Sequence, residues 1–291
     1  MKINELSFKE RLGQYYLLMR MDRPIGTYLL LWPTFWALWI AAQGIPPLSI
    51  LIIFSLGVFV MRSAGCVIND YADRKIDLQI ERTKNRPIVS GKVSPAEALK
   101  LFAAGVTIAF ILVLFLNTYT IILSFAALIL ASIYPFMKRY THYPQIVLGM
   151  AFSWAIPMGF AAQLNYIPNI AWLLYVTTIL WIVAYDTMYA MADREEDLKI
   201  GVKSTAIIFA DKDKIILAVL QILFLAGMIW IAYLLQAGVY FYLGILFASI
   251  FSIYQQYLIR HREKKACFEA FLNNNWLGMV IFIGIFLDYQ F

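Results

Sequence analysis

Residues 48–77 read LSILIIFSLGVFVMRSAGCVINDYADRKID. The first two thirds of this stretch are almost entirely apolar, and the last third carries a series of aspartates. An α-helix needs roughly 20 apolar residues to cross a bilayer whose hydrocarbon core is about 30 Å thick. The stretch therefore predicts a membrane-spanning helix near 47–68 that runs directly into a cluster of carboxylates at the membrane edge.

The same apolar pattern recurs along the whole chain. Hydrophobic residues make up 62% of the 291 residues and charged residues 14%, and the mean hydropathy is +0.71, which is outside the usual range of soluble domains. We predict an all-α fold, a single membrane-embedded domain over residues 1–291 that forms a helical bundle of about nine transmembrane helices. The predicted spans lie near 24–43, 47–68, 95–117, 119–136, 143–163, 168–190, 213–236, 239–258 and 272–290.

The basic residues lie on one side of this predicted bundle. With the N-terminus inside, the four outward connections contain no Lys or Arg; they lie near 43–47, 117–120, 163–169 and 236–239. All 24 basic residues then lie on the other face or at its edge, and the positive-inside rule assigns that face to the cytoplasm. Topology thus accounts for the net charge of +6, and we expect no nucleic-acid partner. The sequence identifies no protein partner.

Residues 1–22 precede the first predicted span and have a pattern of their own. Apolar side chains recur there at helical spacing, which predicts an amphipathic helix lying in the membrane interface: Phe8, Leu12, Tyr15, Tyr16 and Met19. The two cysteines of the chain are too few for a disulfide framework. The two histidines lie too far apart in sequence to suggest a histidine-based metal site.

Two groups of acidic residues extend the inner ends of predicted spans. The first acidic group comprises Asn69, Asp70, Asp73 and Asp77. If the helix continues past the membrane edge, Asn69, Asp73 and Asp77 follow i, i+4, i+8 spacing and share one helical face. The second acidic group follows i, i+3, i+7, i+11 spacing, again one face: Asp186, Tyr189, Asp193 and Asp197. We predict cytoplasmic acidic-motif loops over 69–94 and 191–212, the second of which carries Asp193 and Asp197.

The matching positions of the two groups indicate an internal repeat. Each group follows an even-numbered span, and about four spans separate them. The chain is therefore predicted to contain two four-helix pseudo-repeats plus a final helix.

Carboxylates stacked on one helical face repel each other, and a bound cation makes the arrangement favourable. Oxygen ligands select Mg²⁺ or Ca²⁺, and Mg²⁺ commonly completes its shell with water and substrate phosphate oxygens. Basic residues that could bind phosphate follow both groups: Arg82, Lys84, Arg86, Lys199 and Lys203. The alternative is that the acidic residues are ordinary solvated loop charges, and the presence of two matched groups argues against it.

These motifs resemble those of the UbiA superfamily of intramembrane prenyltransferases. Asn69-Asp70-x-x-Asp73-x-x-x-Asp77 matches its first signature, and Asp193-x-x-x-Asp197 matches its second. Further matching segments are Arg82-Thr83-x-x-Arg86-Pro87 and Tyr134-x-x-x-Lys138. Within the superfamily, the segments 20–34 and 185–205 look most like the 4-hydroxybenzoate polyprenyltransferases of ubiquinone biosynthesis.

The resemblance implies transfer of a polyprenyl chain from its diphosphate to the ring carbon ortho to the hydroxyl of 4-hydroxybenzoate, at the inner membrane of a bacterium, with Mg²⁺ as cofactor. The implied partners are the two substrates and the lipid bilayer. The implied catalytic residues are Asp70, Asp73, Asp77, Asp193 and Asp197, and the implied metal ligands are Asn69, Asp73, Asp77, Asp193 and Asp197. The implied substrate-binding residues are Arg23, Arg74, Arg82, Arg86, Tyr134, Lys138, Arg139, Asp186, Tyr189 and Lys203.

The sequence leaves open which residue binds the acceptor and which acceptor or function the protein has. The acceptor carboxylate needs a cation, and the candidates near the membrane edge are Arg20, Arg23, Lys138 and Arg139, of which we favour Arg23. Two other interpretations are a prenyltransferase with a haem, naphthoate or chlorophyllide precursor as acceptor, and a cation-coupled transporter. The transporter is disfavoured because the acidic residues extend the ends of spans rather than their middles.

The predicted topology can be checked by cysteine labelling. A cysteine introduced at Asn165, in an outward connection, is expected to react with an impermeant thiol reagent in intact cells. A cysteine at Asn85, in a basic inside loop, is expected to react only after permeabilisation. The opposite pattern of labelling would contradict the assigned orientation.

Overall fold

The computed structural model describes residues 7–79 and 83–291. Within these ranges the chain is helical and contains no strand, and nine helical segments are long and apolar enough to cross a membrane. The all-α prediction with about nine spans is confirmed, whereas the pseudo-repeat stays a prediction. The helices are α1 (Phe8–Leu18), α2 (Ile25–Ala42), α3 (Leu48–Asp73), α4 (Pro95–Val113), α5 (Thr118–Met137), α6 (Pro144–Ser153), α7 (Ala155–Leu164), α8 (Asn169–Ile200), α9 (Thr205–Phe209), α10 (Asp213–Leu234), α11 (Val239–Ile259) and α12 (Lys264–Asp288).

Helix α8 is longer than the sequence predicted. The prediction of a loop over 191–212 is wrong for its first part, because α8 continues without a break to Ile200. No glycine or proline interrupts this stretch before Gly201, whose φ of 71° is left-handed and ends the helix. The second acidic group therefore projects from the membrane on a rigid helix.

The predicted fifth span, near 143–163, is two helices that meet at Trp154. Pro157 lies in the first turn of α7 and has no N–H to donate to the preceding turn, which is a physical reason for the break. Helix α12 also begins earlier than predicted, at Lys264 rather than near 272.

An aromatic cluster packs four helices together inside the membrane. The rings of Trp36 on α2 and Trp181 on α8 lie 5.3 Å apart, and Phe224 on α10 lies 5.9 Å from Trp181. All three side chains are buried. The two tryptophans also donate hydrogen bonds to α12. The indole N–H of Trp36 donates to the carbonyl of Gly278 at 3.2 Å, and that of Trp181 donates to Oδ1 of Asn274 at 2.8 Å. Apolar burial and satisfied polar groups thus fix α8 at the centre of the bundle.

Helix α1 rests on the inner ends of α3 and α4. Leu18 is fully buried in a cluster with Val67 and Val93, and the hydroxyl of Tyr15 donates to Glu97 at 3.1 Å. Large apolar side chains remain exposed on the other face of α1, among them Phe8 and Leu12. The helix therefore has the amphipathic pattern predicted for it, and its location in the membrane interface stays a prediction.

Helices α11 and α12 approach each other at backbone distance. A Cβ added at Gly244 would lie 2.8 Å from the carbonyl oxygen of Val280 and 3.1 Å from the Cα of Gly284. Both neighbours are backbone atoms and cannot turn away as a side chain would. Small residues at such crossings allow close van der Waals packing, which drives helix association in lipid.

We expect Gly244→Ala to destabilise the protein, because the new methyl group forces α11 and α12 apart. Overpacking of this kind typically costs about 1–3 kcal/mol. The matched control is Gly57→Ala in α3, where an added Cβ meets nothing within 4 Å. The control should be neutral or stabilising, since alanine favours a helix. Thermal unfolding in detergent measures both variants, and equal stability of the two would contradict the backbone contact.

Candidate active site

A cavity of about 840 Å³ opens at the end of the bundle that carries both acidic groups, which we call the inner face because it is predicted to be cytoplasmic, and continues among the helices. Its inner part is lined by both acidic groups and by several cations. Its remaining wall is mostly apolar and reaches Val113, the last residue of α4, and Leu116, which follows the helix. At about 1.5 Å per residue, the 19 residues of α4 extend about 28 Å. The cavity therefore joins a charged mouth to an apolar interior that runs most of the way across the membrane.

The first acidic group does not form one helical face. Asn69 and Asp73 lie on α3, which ends at Asp73, whereas Asp77 begins a separate 3₁₀ turn. The prediction that the helix persists through Asp77 is therefore wrong, because the chain turns at the end of α3, where the amide of Ile76 donates to the carbonyl of Asp73 at 2.8 Å. The turn still brings Asp77 to the cavity wall, and Thr83 donates its hydroxyl to the carbonyl of Asp77 at 2.8 Å.

Three buried carboxylates of this group are paired with cations. Asp70 accepts from Arg20 and from Arg86, both at 3.0 Å, and Asp77 accepts from Arg86 at 2.6 Å. Asp73 pairs with Lys138. Burial opposes the charge of Arg86, but the carboxylates of Asp70 and Asp77 outweigh this effect and raise its pKa above the usual arginine value. Arg86 therefore stays charged and holds the segment after α3 against the cavity.

The second acidic group does share one face of α8. Asp186, Tyr189, Asp193 and Asp197 all line the cavity. Ion pairs hold the two flanks of the same helical extension: Arg194 lies 3.7 Å from Asp213 on one flank, and Glu196 lies 2.5 Å from Lys264 on the other.

Asp213, at the start of α10, is the centre of this support. Its fully buried carboxylate accepts from Arg262 through two guanidinium nitrogens, at 2.8 and 2.9 Å. Arg262 also donates to the carbonyl of Asp211 at 2.9 Å. The Asp213 cluster, which we define as Arg194, Asp213 and Arg262, connects α8 to α10 and to the loop before α12. The sequence analysis missed this cluster, and no local signal pairs residues so far apart.

The structure brings most of the other predicted substrate-binding residues to the cavity. Tyr134, Lys138 and Lys203 line it, and the Tyr134 hydroxyl donates to the carbonyl of Gly65 at 3.4 Å. Arg74 and Arg139 do not line it. Arg74 lies over the Tyr71 ring at 4.3 Å, and Arg139 donates to the carbonyl of Ala72.

The two remaining basic residues of the prediction are Arg23 and Arg82. Arg23 lines the cavity, but its side chain is 68% exposed and its Nε lies 3.3 Å from Asp22. Arg82 lies outside the described residues.

Arg62 is a cavity residue that the sequence analysis did not select. Its guanidinium donates to the carbonyls of Met19, Arg20 and Arg23 at 3.2–3.3 Å. It packs so closely on Gly26 that a Cβ there would lie 2.7 Å from Nε. Among the residues described, Arg62 forms no ion pair with a carboxylate. An arginine inside an apolar run is itself a functional signal, and this one could have been found in the sequence.

The donor atoms at the mouth of the cavity fit Mg²⁺. They are carboxylate oxygens with the amide of Asn69, and Oδ1 of Asp73 is buried without a hydrogen-bond partner in the described structure. Within residues 7–79 and 83–291, no group of three or more Asp, Glu, His or Cys side chains is arranged to hold a metal ion by itself. Mg²⁺ suits such a site, because it is usually held by one or two carboxylates together with water and phosphate oxygens.

A charged mouth and a long apolar interior define the cavity of this multi-pass membrane protein. Residues 30–281 match the UbiA prenyltransferase family, and the chain belongs to that family.

Curated relatives from two bacteria carry the same description. The chain is 59% identical over 280 residues to a 4-hydroxybenzoate octaprenyltransferase of Saccharophagus degradans, which covers 96% of this chain and 94% of the relative. It is 58% identical over 280 residues to a 4-hydroxybenzoate octaprenyltransferase of Vibrio parahaemolyticus, and this match covers 96% of this chain and 99% of the relative.

Solved structures show the same fold. The apo structure of a UbiA homolog from Aeropyrum pernix has a TM-score of 0.80 at 26% identity and covers 90% of this chain and 97% of its own. A UbiA homolog from Archaeoglobus fulgidus bound to GPP and Mg²⁺ has a TM-score of 0.73 at 18% identity, with coverage of 95% and 99%.

The Asp213 cluster predicts a strong effect of Arg262→Ala on stability. The substitution leaves the buried Asp213 carboxylate with only the more distant Arg194, at 3.7 Å. Breaking a buried ion pair typically costs about 3–5 kcal/mol of folding stability. We expect a smaller loss of about 2–3 kcal/mol, because Arg262 is partly exposed and solvent screens the pair. The double variant Asp213→Ala/Arg262→Ala should recover part of this loss, since the fully buried carboxylate is removed together with its close partner. Arg260→Ala, in the same loop, is the control and should change little. A double variant less stable than Arg262→Ala alone, measured by thermal unfolding in detergent, would contradict the pairing.

Proposed function

We propose that this protein transfers a polyprenyl group from a polyprenyl diphosphate to the ring carbon ortho to the hydroxyl of 4-hydroxybenzoate, and that diphosphate is released. The reaction belongs to ubiquinone biosynthesis and takes place at the bacterial inner membrane, with both acidic groups facing the cytoplasm. The observation that carries the proposal is the cavity itself, in which paired acidic groups and cations stand at one end and an apolar wall extends from them. Relatives more than 50% identical over nearly the whole chain are described as 4-hydroxybenzoate octaprenyltransferases, which supports this substrate pair.

Each part of the substrate has a matching part of the cavity. The diphosphate lies at the inner mouth, where Arg86, Lys138 and Lys203 supply positive charge. The prenyl chain lies along the apolar wall toward Val113. Asn69, Asp73, Asp77, Asp193 and Asp197 are the residues that would hold Mg²⁺, which when bound neutralises charge on the diphosphate and so favours its departure.

The protein side chains direct the rest of the reaction. Heterolysis of the allylic C–O bond leaves a prenyl cation, which water would capture if it had access. The apolar wall excludes water from the prenyl chain. The cations at the mouth bind the departing diphosphate and keep it away from the ring of the acceptor. The buried carboxylate of Asp70 pairs with both Arg20 and Arg86 and so fixes the position of the Arg86 guanidinium. We assign Asp70 a positioning role.

The carboxylate of the acceptor is bound by Arg62 rather than by Arg23. Arg62 lines the cavity on α3, and main-chain carbonyls hold its guanidinium in place without neutralising its charge. Arg23 is mostly exposed and already pairs with Asp22. A cation that is pre-positioned and lacks a carboxylate partner is the better receptor for an anionic substrate group.

An in vitro assay with purified protein, 4-hydroxybenzoate, a polyprenyl diphosphate and Mg²⁺ tests the proposal directly. Product should form only with the metal. Haem, naphthoate and chlorophyllide precursors serve as competing acceptors, and preferential prenylation of one of them would replace the proposed acceptor. Transport of a cation without product would return the protein to the transporter interpretation.

Asp73→Asn and Asp193→Asn are each expected to lower kcat by about 10²- to 10³-fold while the protein still folds, because both carboxylates face the diphosphate end of the cavity. Glu195→Gln is the matched control, since Glu195 is exposed on the same extension of α8. Rates of both aspartate variants that stay near the rate of the control would remove the basis for the metal site.

The assignment of Arg62 predicts that Arg62→Gln raises the KM for 4-hydroxybenzoate by about 10- to 150-fold, the value of one charge-assisted hydrogen bond. The KM for the prenyl diphosphate should change little. Arg23→Ala is the paired comparison and should leave both KM values nearly unchanged. With a phenol that lacks the carboxylate, Arg62→Gln should behave like the unsubstituted protein. A large KM effect in Arg23→Ala and none in Arg62→Gln would assign the carboxylate to Arg23.

A further inference from the structure

One carboxylate of the cavity stands apart from the charge pairs at its mouth. Asp186 lies on α8 seven residues before Asp193, which places it about 10 Å deeper in the membrane along the helix axis. It lines the cavity and is half-buried. Within the described part of the chain it has no hydrogen bond and no ion pair. By contrast, Asp70 and Asp77 are paired with Arg86, and Asp73 is paired with Lys138.

The surroundings of Asp186 point to a polar group of a ligand at the same depth. The neighbouring Tyr185 lines the cavity and is only 2% exposed, yet its hydroxyl has no hydrogen-bond partner among the described residues. A buried hydroxyl without a partner costs free energy, which a bound polar group would recover. Asp186 and Tyr185 are therefore two adjacent polar residues of the cavity wall, which Tyr134 and Lys138 also line, and we refer to the pair as the polar site.

Aromatic rings flank this polar site. Phe271 lies 5.9 Å from the ring of Tyr185 and 5.1 Å from the ring of Tyr189, and Phe268 lies 5.9 Å from Tyr189. All four rings line the cavity. Ring faces attract cations, and a carboxylate beside them adds to the attraction. An allylic cation formed at this depth is therefore stabilised without exposure to water.

The depth of Asp186 matches the position of the bond that forms. With the diphosphate among the charged residues at the mouth, the first carbon of the prenyl chain lies on the membrane side of it. The ring carbon of the acceptor must approach that carbon. The acceptor ring then lies between the charged mouth and the apolar wall, at the level of Asp186 and Tyr185.

We propose that Asp186 is the general base that removes the ring proton of the acceptor. This inference rests on the proposed function. As the C–O bond breaks, its electron pair leaves with the diphosphate. The ring carbon ortho to the hydroxyl uses a π electron pair to form the new C–C bond, which leaves that carbon with both its hydrogen and the prenyl group. Asp186 takes the proton, the C–H electron pair restores the aromatic ring, and the proton passes from Asp186 to the departing diphosphate.

The experiment measures steady-state prenyl transfer by Asp186→Asn, with 4-hydroxybenzoate carrying either hydrogen or deuterium at both positions ortho to the hydroxyl. A lost general base typically costs about 10²- to 10⁴-fold in kcat. We expect a loss of that size, KM values for both substrates within a few-fold of the unsubstituted protein, and a larger ring-deuterium effect on kcat in the variant. The deuterium effect grows because proton removal becomes slow, which a merely structural defect would not produce.

Two further variants keep the test informative. Asp186→Glu retains a carboxylate and should recover part of the rate with a smaller deuterium effect than Asp186→Asn. Tyr185→Phe removes the adjacent hydroxyl but no base, and it should not increase the deuterium effect. A near-normal rate in Asp186→Asn, or a slow rate with no increase in the deuterium effect, would overturn the role of Asp186. Absence of product from the unsubstituted protein would instead overturn the proposed function and the inference with it.

Discussion

Carboxylates buried at the edge of a bilayer must be compensated by positive charge, and this requirement organises the whole inner face of the protein. Asp70, Asp73 and Asp77 are each no more than 4% exposed. The desolvation of an ionised carboxylate costs several kcal/mol unless a partner and hydrogen bonds offset it. The partners come from three separate segments: the linker before α2, the segment after α3 and the inner end of α5. Charge pairing thus holds these three segments together around the mouth of the cavity.

The two sides of the cavity are stabilised in different ways. On the side of α3, cations reach directly into the acidic group, so the side chains that neutralise the aspartates also line the cavity. On the side of α8, the ion pairs of Arg194 and Glu196 lie on the two flanks of the helix, and the face that carries Asp193 and Asp197 lines the cavity. The first side is thus held by ion pairs within the cavity lining, whereas the second is held by ion pairs whose residues do not line the cavity.

Within the membrane, stability depends on packing rather than on charge. Lipid is as apolar as the helices, so association relies on close contact and on buried hydrogen bonds. The aromatic cluster around Trp181 and the contact between Gly244 and Gly284 supply both kinds of interaction. The aromatic cluster fixes α8 against α10 and α12 and so sets the depth at which Asp186 and Tyr185 meet the cavity, and the glycine contact fixes α11 against α12.

The sequence by itself determined the class of fold, the spans and the face of α8 that carries Asp193 and Asp197. These features follow from local rules, because each spanning segment must satisfy its own backbone hydrogen bonds and because helical periodicity assigns side chains to faces. Only the tertiary structure decided where α3 ends, that Asp213 pairs with Arg262, and that Arg62 rather than Arg23 lies enclosed in the cavity. The physical reason is that periodicity fixes the direction of a side chain on its own helix. The residue it meets depends on how distant helices pack, and no local pattern in the sequence records that packing.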